Sequence, residues 1–193
     1  MSRTVGRVCS LSLLVALAAG SAACGGDDAG PDAAVADCEA YCDRMQAHCS
    51  GDNTQYTSRS QCVASCAALP QGEPGATSGN SLECRSYHAG AALGDPATHC
   101  THGGPGGDGV CGSNCEGFCQ LVIATCTGAN EVYASFNDCL VDCGGLDDSE
   151  PFDVSDTGGD TLACRTYHAS VATQDPETHC PHTAVVSSTC TAL

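Results

Sequence analysis

Sixteen of the eighteen cysteines fall into two matched sets of eight, and that register limits the chain more than any other feature. Cys38, Cys42, Cys49, Cys62 and Cys66 recur as Cys115, Cys119, Cys126, Cys139 and Cys143, 77 positions later. Cys84 and Cys100 recur as Cys164 and Cys180 after 80 positions, and Cys111 and Cys190 close the two copies. Regular self-similarity of this kind marks a duplication. The boundary falls in the glycine-rich stretch Gly103 to Gly112, giving one repeat over 38–112 and a second over 113–193. Eighteen cysteines in 193 residues, with no tryptophan and three phenylalanines, indicate a cross-linked scaffold with a thin apolar core. Each bridge offsets that thinness by about 2–4 kcal/mol in a small domain.

Within each copy the spacing is helical. Cys38, Tyr41, Cys42, Met45 and Cys49 share one face, as do Cys115, Phe118, Cys119, Val122 and Cys126 after Asn114 as N-cap. Ser58 to Gln61 resembles a capping box opening a second helix with Cys62 and Cys66, and Ser135 opens its counterpart with Cys139 and Cys143. Two C-x-x-x-C pairs on antiparallel helices join Cys38 to Cys66, Cys42 to Cys62, Cys115 to Cys143 and Cys119 to Cys139. Four thiolates so placed also suit zinc, but in an exported chain disulfides are the preferred reading. The partners of Cys49, Cys84, Cys100 and Cys111, and of their second-repeat equivalents, stay open. A third helix is expected from Asn80 or Asp160, and Asp95-Pro96 and Asp175-Pro176 read as the cap and first residue of a further short turn. The expected fold is thus small, disulfide-rich and mainly α. It has two tandem modules, each a helical hairpin plus third helix and short turn with four disulfides.

The amino terminus reads as an address. Arg3 and Arg7 precede the apolar run Val8 to Ala19, which is too short to span a bilayer stably and ends in small residues, so 1–23 reads as a signal peptide. Ser21-Ala22-Ala23-Cys24 resembles the lipobox of bacterial lipoproteins, with serine where that family usually has leucine. The resemblance implies a lipid on Cys24 and, with Gly25 following, the outer membrane. Parity agrees, because losing Cys9 and modifying Cys24 leaves an even sixteen cysteines. The alternative is ordinary cleavage after Ala22 or Ala23 and secretion. Residues 24–37 form the anchor and a polar tether. The formal net charge of −17, with no lysine, argues against nucleic acid as a partner.

The copies have diverged unevenly. From 37–69 against 114–146, seven of 28 non-cysteine positions are identical; from 80–102 against 160–182, eleven of 21 are. Leu82 to His102 and Leu162 to His182 share L-x-C-R-x-Y-H-A…D-P-x-T-H-C-x-H, so six of seven histidines are matched. On one reading His88, His99 and His102, and again His168, His179 and His182, form three-imidazole sites for Zn²⁺ or Cu²⁺. Tyr87 or an aspartate would then serve as an outer or fourth partner. On the other, the histidines and Tyr87 hydrogen-bond backbone around the disulfides, and Arg85 pairs with Asp95 to close a structural corner; no cofactor is then expected. The acidic stretch Asp147 to Gly159 lacks the spacing of a calcium loop and reads as solvated surface. No C-x-x-C-H, G-x-S-x-G or Walker loop occurs, and the even cysteine count leaves no nucleophilic thiol, so the chain leans away from enzymes.

The leader, the Ala/Asp/Gly-rich tether and the tandem C-R-x-Y-H-A…H-C-x-H modules together resemble cysteine-rich predicted lipoproteins of myxobacteria and related deltaproteobacteria. The resemblance implies export and membrane anchoring through the N-terminal lipid, with an unidentified protein or surface partner. It implies no activity. The first reading is a nonenzymatic lipid-anchored envelope protein displaying two stapled modules for binding or structural roles. The alternative is an envelope zinc- or copper-binding protein with one three-histidine site per repeat.

Overall fold

The computed structural model describes residues 35–192; the expected leader, Cys24 and the tether up to residue 34 lie outside them. Among the described residues eight α-helices and three short 3-10 turns make up the regular structure, and no strand occurs. In the first repeat these are α1 (Cys38–His48), α2 (Arg59–Cys66), α3 (Leu82–Ala91) and α4 (Pro96–Gly103). In the second they are α5 (Asn114–Thr125), α6 (Phe136–Cys143), α7 (Leu162–Val171) and α8 (Pro176–His179), continued by a 3-10 turn at Cys180–Thr183. The fold is therefore small, disulfide-rich and all-α.

Side-chain caps set most helix starts. Asp37, Ser58 and Ser135 cap α1, α2 and α6 by accepting from the backbone N–H of Ala40, Gln61 and Asp138. The caps of α3, α5 and α7 differ by one residue from the sequence expectation. Ser81 and Thr161, not Asn80 and Asp160, take the N–H of Cys84 and Cys164. Ser113, not Asn114, caps α5 and forms a full capping box with Glu116.

All sixteen cysteines of the two repeats are paired, and every bridge stays within its own repeat. Cys38–Cys66 and Cys42–Cys62 close the α1–α2 hairpin, with Cα separations of 5.6 and 5.8 Å; Cys115–Cys143 and Cys119–Cys139 do the same for α5–α6. The pairs left open by spacing are Cys49–Cys100 and Cys84–Cys111, with Cys126–Cys180 and Cys164–Cys190 as equivalents. Around them each repeat buries a few large side chains: Tyr41, Met45, Tyr56 and Leu82 in one, Phe118, Leu121, Val122, Tyr133 and Leu162 in the other. Tyr41 donates its hydroxyl to the Gly103 carbonyl at 2.6 Å and shares a 2.7 Å hydrogen bond with Tyr56. A Cβ at Gly103 would press on Met45 Sδ at 3.2 Å and Ala89 N at 3.3 Å, so the close approach of α4 to α1 and α3 is easiest with glycine.

The matched arginines are the largest fully buried side chains. Arg85 does not reach Asp95, which instead caps α4 by accepting from Thr98 N. Its guanidinium donates to Gly104 O at 3.0 Å, Asn80 Oδ1 at 2.9 Å, Ser81 O at 3.4 Å and Pro105 O at 3.3 Å. Arg165 repeats the arrangement with Ala184 O, Thr161 O, Val185 O and Cys190 O, and adds the Asp160 carboxylate at 2.8 Å. Burial lowers the pKa of Arg85 from its ordinary value, opposed by nearby Tyr41, Tyr56 and Glu116. A planar five-donor fork satisfies carbonyls of two segments at once, which an ammonium does not.

The two repeats pack on one another, a point that spacing alone leaves open. Gln55 Nε2 donates to Phe152 O at 2.9 Å, Gln120 Nε2 to Ala68 O at 2.8 Å, and Val154 N to Thr54 O at 3.0 Å. Gly117 of α5 lies so close to the Pro105 and Gly106 carbonyls that a side chain there would collide.

Two outcomes follow. Closing 51 positions between Cys49 and Cys100 restricts the unfolded chain more than closing 20 between Cys42 and Cys62. Replacing the first pair with serines is expected to cost about 4 kcal/mol and the second about 3 kcal/mol or less, since Cys38–Cys66 still holds the hairpin. Urea midpoints under oxidising conditions give the order. Arg85→Lys leaves buried carbonyls unpaired and is expected to cost about 3 kcal/mol by the same measurement.

Candidate metal centres

Every candidate histidine sits beside a cross-link. His88 is one turn after Cys84 on α3, whose bridge to Cys111 fixes that helix. His99 and His102 flank Cys100 on α4, whose bridge to Cys49 fixes how α4 is rotated about its axis. Helical spacing puts His99 and His102 on one side, and the packing of α4 against α3 turns that side toward His88.

The structure brings the three together. His88 Nδ1 lies 2.9 Å from His99 Nδ1, and the ring centroids of His88–His99, His88–His102 and His99–His102 stand 5.1, 5.0 and 5.9 Å apart. In the second repeat His168 Nδ1 is 3.0 Å from His179 Nδ1 and 3.3 Å from His182 Nδ1. Each trio can offer three nitrogens all within 4.8 Å of one another. Nitrogens sharing one zinc at 2.0–2.1 Å with a tetrahedral angle stand about 3.3 Å apart, close to the His88–His99, His168–His179 and His168–His182 approaches. Sulfurs of Cys84–Cys111 and Cys164–Cys190 also approach His88 and His168, but as disulfides they are not thiolate ligands.

The trio persists although the backbone beneath it changes. Pro181 replaces Thr101, and without its N–H the α-helix stops at His179 and passes into the 3-10 turn. The His179–His182 centroid distance is nevertheless 5.9 Å, as in the first repeat.

Hydrogen bonding fixes which nitrogen is bare. His88 Nε2 faces the Thr77 carbonyl at 3.2 Å, and a carbonyl only accepts. Nε2 therefore carries the hydrogen in neutral His88, leaving the Nδ1 lone pair aimed at His99. His102 Nδ1 is buried without a hydrogen-bond partner, while its Nε2 lies 3.9 Å from Asp108 Oδ2. Burial is the main force holding His88 below its ordinary pKa, followed by the opposing Thr77 carbonyl and then repulsion from His102 and His99. His102 and His179 are lowered chiefly by burial, against the pull of Asp108 and Asp175. His168 is pushed down to about 4 by burial and by His182 and His179, with the Thr157 backbone working in the opposite direction. Such imidazoles stay neutral near pH 7, the form that ligates metal.

Other residues considered as partners lie elsewhere. Tyr87 is half exposed and packs edge-on against His88, while Asp95 and Asp175 are committed to helix caps. His48, the unmatched histidine, bonds the Ala89 carbonyl through Nδ1 at 2.8 Å and joins neither trio. Spacing gave no hint of Asp108 or of the Thr77 carbonyl. Asp108 sits in a glycine run without an obvious second-repeat match, and a carbonyl has no sequence signature.

These features define a tandem-repeat, disulfide-rich helical protein with two histidine clusters. The model of the BfoA family C-terminal domain matches it twice, over residues 32–114 and 112–189, and the chain belongs to that family. It is also similar to aurasperone B biosynthesis cluster protein A from two strains of Aspergillus niger, at 35% identity over 71 residues in each case. That similarity takes in 36% of this chain and only 23% of each fungal protein. No solved structure matches. Eight disulfides suit an oxidising extracellular or periplasmic environment, and among the described residues no helix is long and apolar enough to cross a membrane.

In the metal-free protein the lowered histidines set a pH dependence. Unfolded His168 takes up a proton near 6.5 and folded His168 only near 4, so its contribution is complete above about pH 6.5 and is lost as pH falls through that window. The apparent Tm is expected to drop between about pH 7 and pH 4.5, and His168→Gln should flatten that drop.

Proposed function

We propose that the chain is an exported, nonenzymatic metal-binding protein with one three-histidine site for Zn²⁺ or Cu²⁺ in each repeat. The observation that carries this reading is the convergence, in both repeats, of three imidazoles able to offer nitrogens within 4.8 Å of one another, with His88 and His99 at 2.9 Å in the first repeat and His168 at 3.0 and 3.3 Å from His179 and His182 in the second. Two features support it. Burial favours the neutral form of His88, His102, His168 and His179, and four cross-links per repeat hold the donors in place before an ion arrives. Three nitrogens leave a further position for water or an exchanging ligand, which suits capture and release of a metal better than permanent structural burial. In this reading the leader directs export, and a lipid on Cys24 holds the repeats at the outer membrane, with secretion after cleavage at Ala22 or Ala23 as the other route. Partners beyond the ion and the membrane are a protein or surface component met at that location.

One observation favours a second, purely structural reading. The His88–His99 contact is itself a good hydrogen bond and closes the α3–α4 corner without an ion.

Elemental analysis separates the two. Protein exported through an oxidising compartment and purified without a histidine tag or chelator is expected to hold one zinc or copper ion per repeat. His99→Ala and His179→Ala should each remove one, and uptake should weaken as pH falls and the ligating imidazoles protonate. A protein that takes up neither metal when both are offered, yet loses stability in the same variants, has structural corners instead.

A further inference from the structure

Asp108 distinguishes the first cluster from the second. Among the described residues it is the one non-glycine with a positive φ, at 48°, between Gly107 at 91° and Gly109 at 75°. Glycine would meet that geometry with less strain, although Asp tolerates it better than most residues. Its backbone N–H donates to Asn114 Oδ1 at 3.0 Å, and its Oδ2 accepts from Thr101 Oγ1 at 2.7 Å. So held, the same Oδ2 faces His102 Nε2 at 3.9 Å, on the far side of the ring from the buried Nδ1. The second repeat has T-A-V-V-S-S-T between His182 and Cys190, without a carboxylate, and Pro181 where Thr101 stands.

Resting on the metal-binding reading above, we infer that Asp108 is a positioning residue that makes the two sites unequal, so that the first repeat takes up the first equivalent of divalent metal. Bound through Nδ1, His102 must carry its hydrogen on Nε2, and that N–H points at a carboxylate already oriented by Thr101. A carboxylate–histidine–metal relay fixes ring orientation and strengthens the ligand; loss of such an outer partner typically costs about 10–100-fold in affinity. The 3.9 Å gap closes by a movement of about 1 Å to reach hydrogen-bond range. In the second repeat His182 lacks this partner, and its ion is held by the three imidazoles alone.

The test uses Zn²⁺ and the full oxidised chain. Calorimetric titration should resolve two steps separated at least about tenfold. The His179→Ala chain, with only the first site, should keep the tight step, and the His99→Ala chain the weak one. Asp108→Gly suits the positive φ and should leave the metal-free Tm close to wild type, yet bring the tight step down to the weak one. In the zinc-loaded wild type, nitrogen-15 spectra should show a hydrogen-bonded His102 Nε2–H that Asp108→Gly abolishes while His182 is unchanged. Two equal steps in the wild type, or an unchanged tight step in Asp108→Gly, overturns the inference while leaving two metal sites standing. No zinc uptake at either site overturns the metal-binding reading itself.

Discussion

The bridge from the end of α1 to α4 carries more of this structure than its neighbours do. Cys100 lies between His99 and His102, and its bond to Cys49 sets the rotation of α4 as well as its distance from α1. Rotate that helix and both imidazoles leave His88, Gly103 leaves its contact with Met45, and the Tyr41 hydroxyl loses its carbonyl. Cys126–Cys180 does the same between His179 and His182. A core with so few large side chains does not hold four-residue and eight-residue helices in register by burial alone. Covalent links at the level of the ligands supply the missing rigidity.

The buried arginines address a different need. Each repeat ends in irregular chain, residues 104–112 or 184–192, whose carbonyls turn inward and must be paired. Arg85 and Arg165 gather those carbonyls from the centre of the fold, taking the place that a longer helix or a strand would fill elsewhere. The repeats differ in how the charge is met. Asp160 provides a carboxylate beside Arg165, whereas Asn80 offers Arg85 only an amide oxygen. The same two positions looked like N-caps from the sequence, because Asn and Asp favour that role. The buried guanidinium outcompetes it, and Ser81 and Thr161 take over the capping.

The hairpin bridges were legible because i and i+4 on antiparallel helices permit few pairings. The trio of histidines was legible because duplication had preserved it while its surroundings changed. The links from Cys49 to Cys100 and from Cys84 to Cys111 were not, since each crosses loops whose path depends on glycines such as Gly107, where an added Cβ would strike the Cys111 carbonyl. Nor was the role of Arg85, since its partners are backbone atoms that no side-chain pattern advertises. Contact between the repeats was equally hidden: it rests on Gln55, Gln120 and the small Gly117, none of which stands out in composition.

That no bridge crosses from one repeat to the other has a consequence for biogenesis. Cys111 precedes Cys115 in the chain, so in synthesis from the amino terminus the first eight thiols are complete as a set before the second set follows. Eight thiols admit on the order of a hundred pairings, and sixteen presented together admit on the order of a million. Passage from the amino terminus onward divides one hopeless search into two short ones, with the glycine-rich junction marking where the first ends.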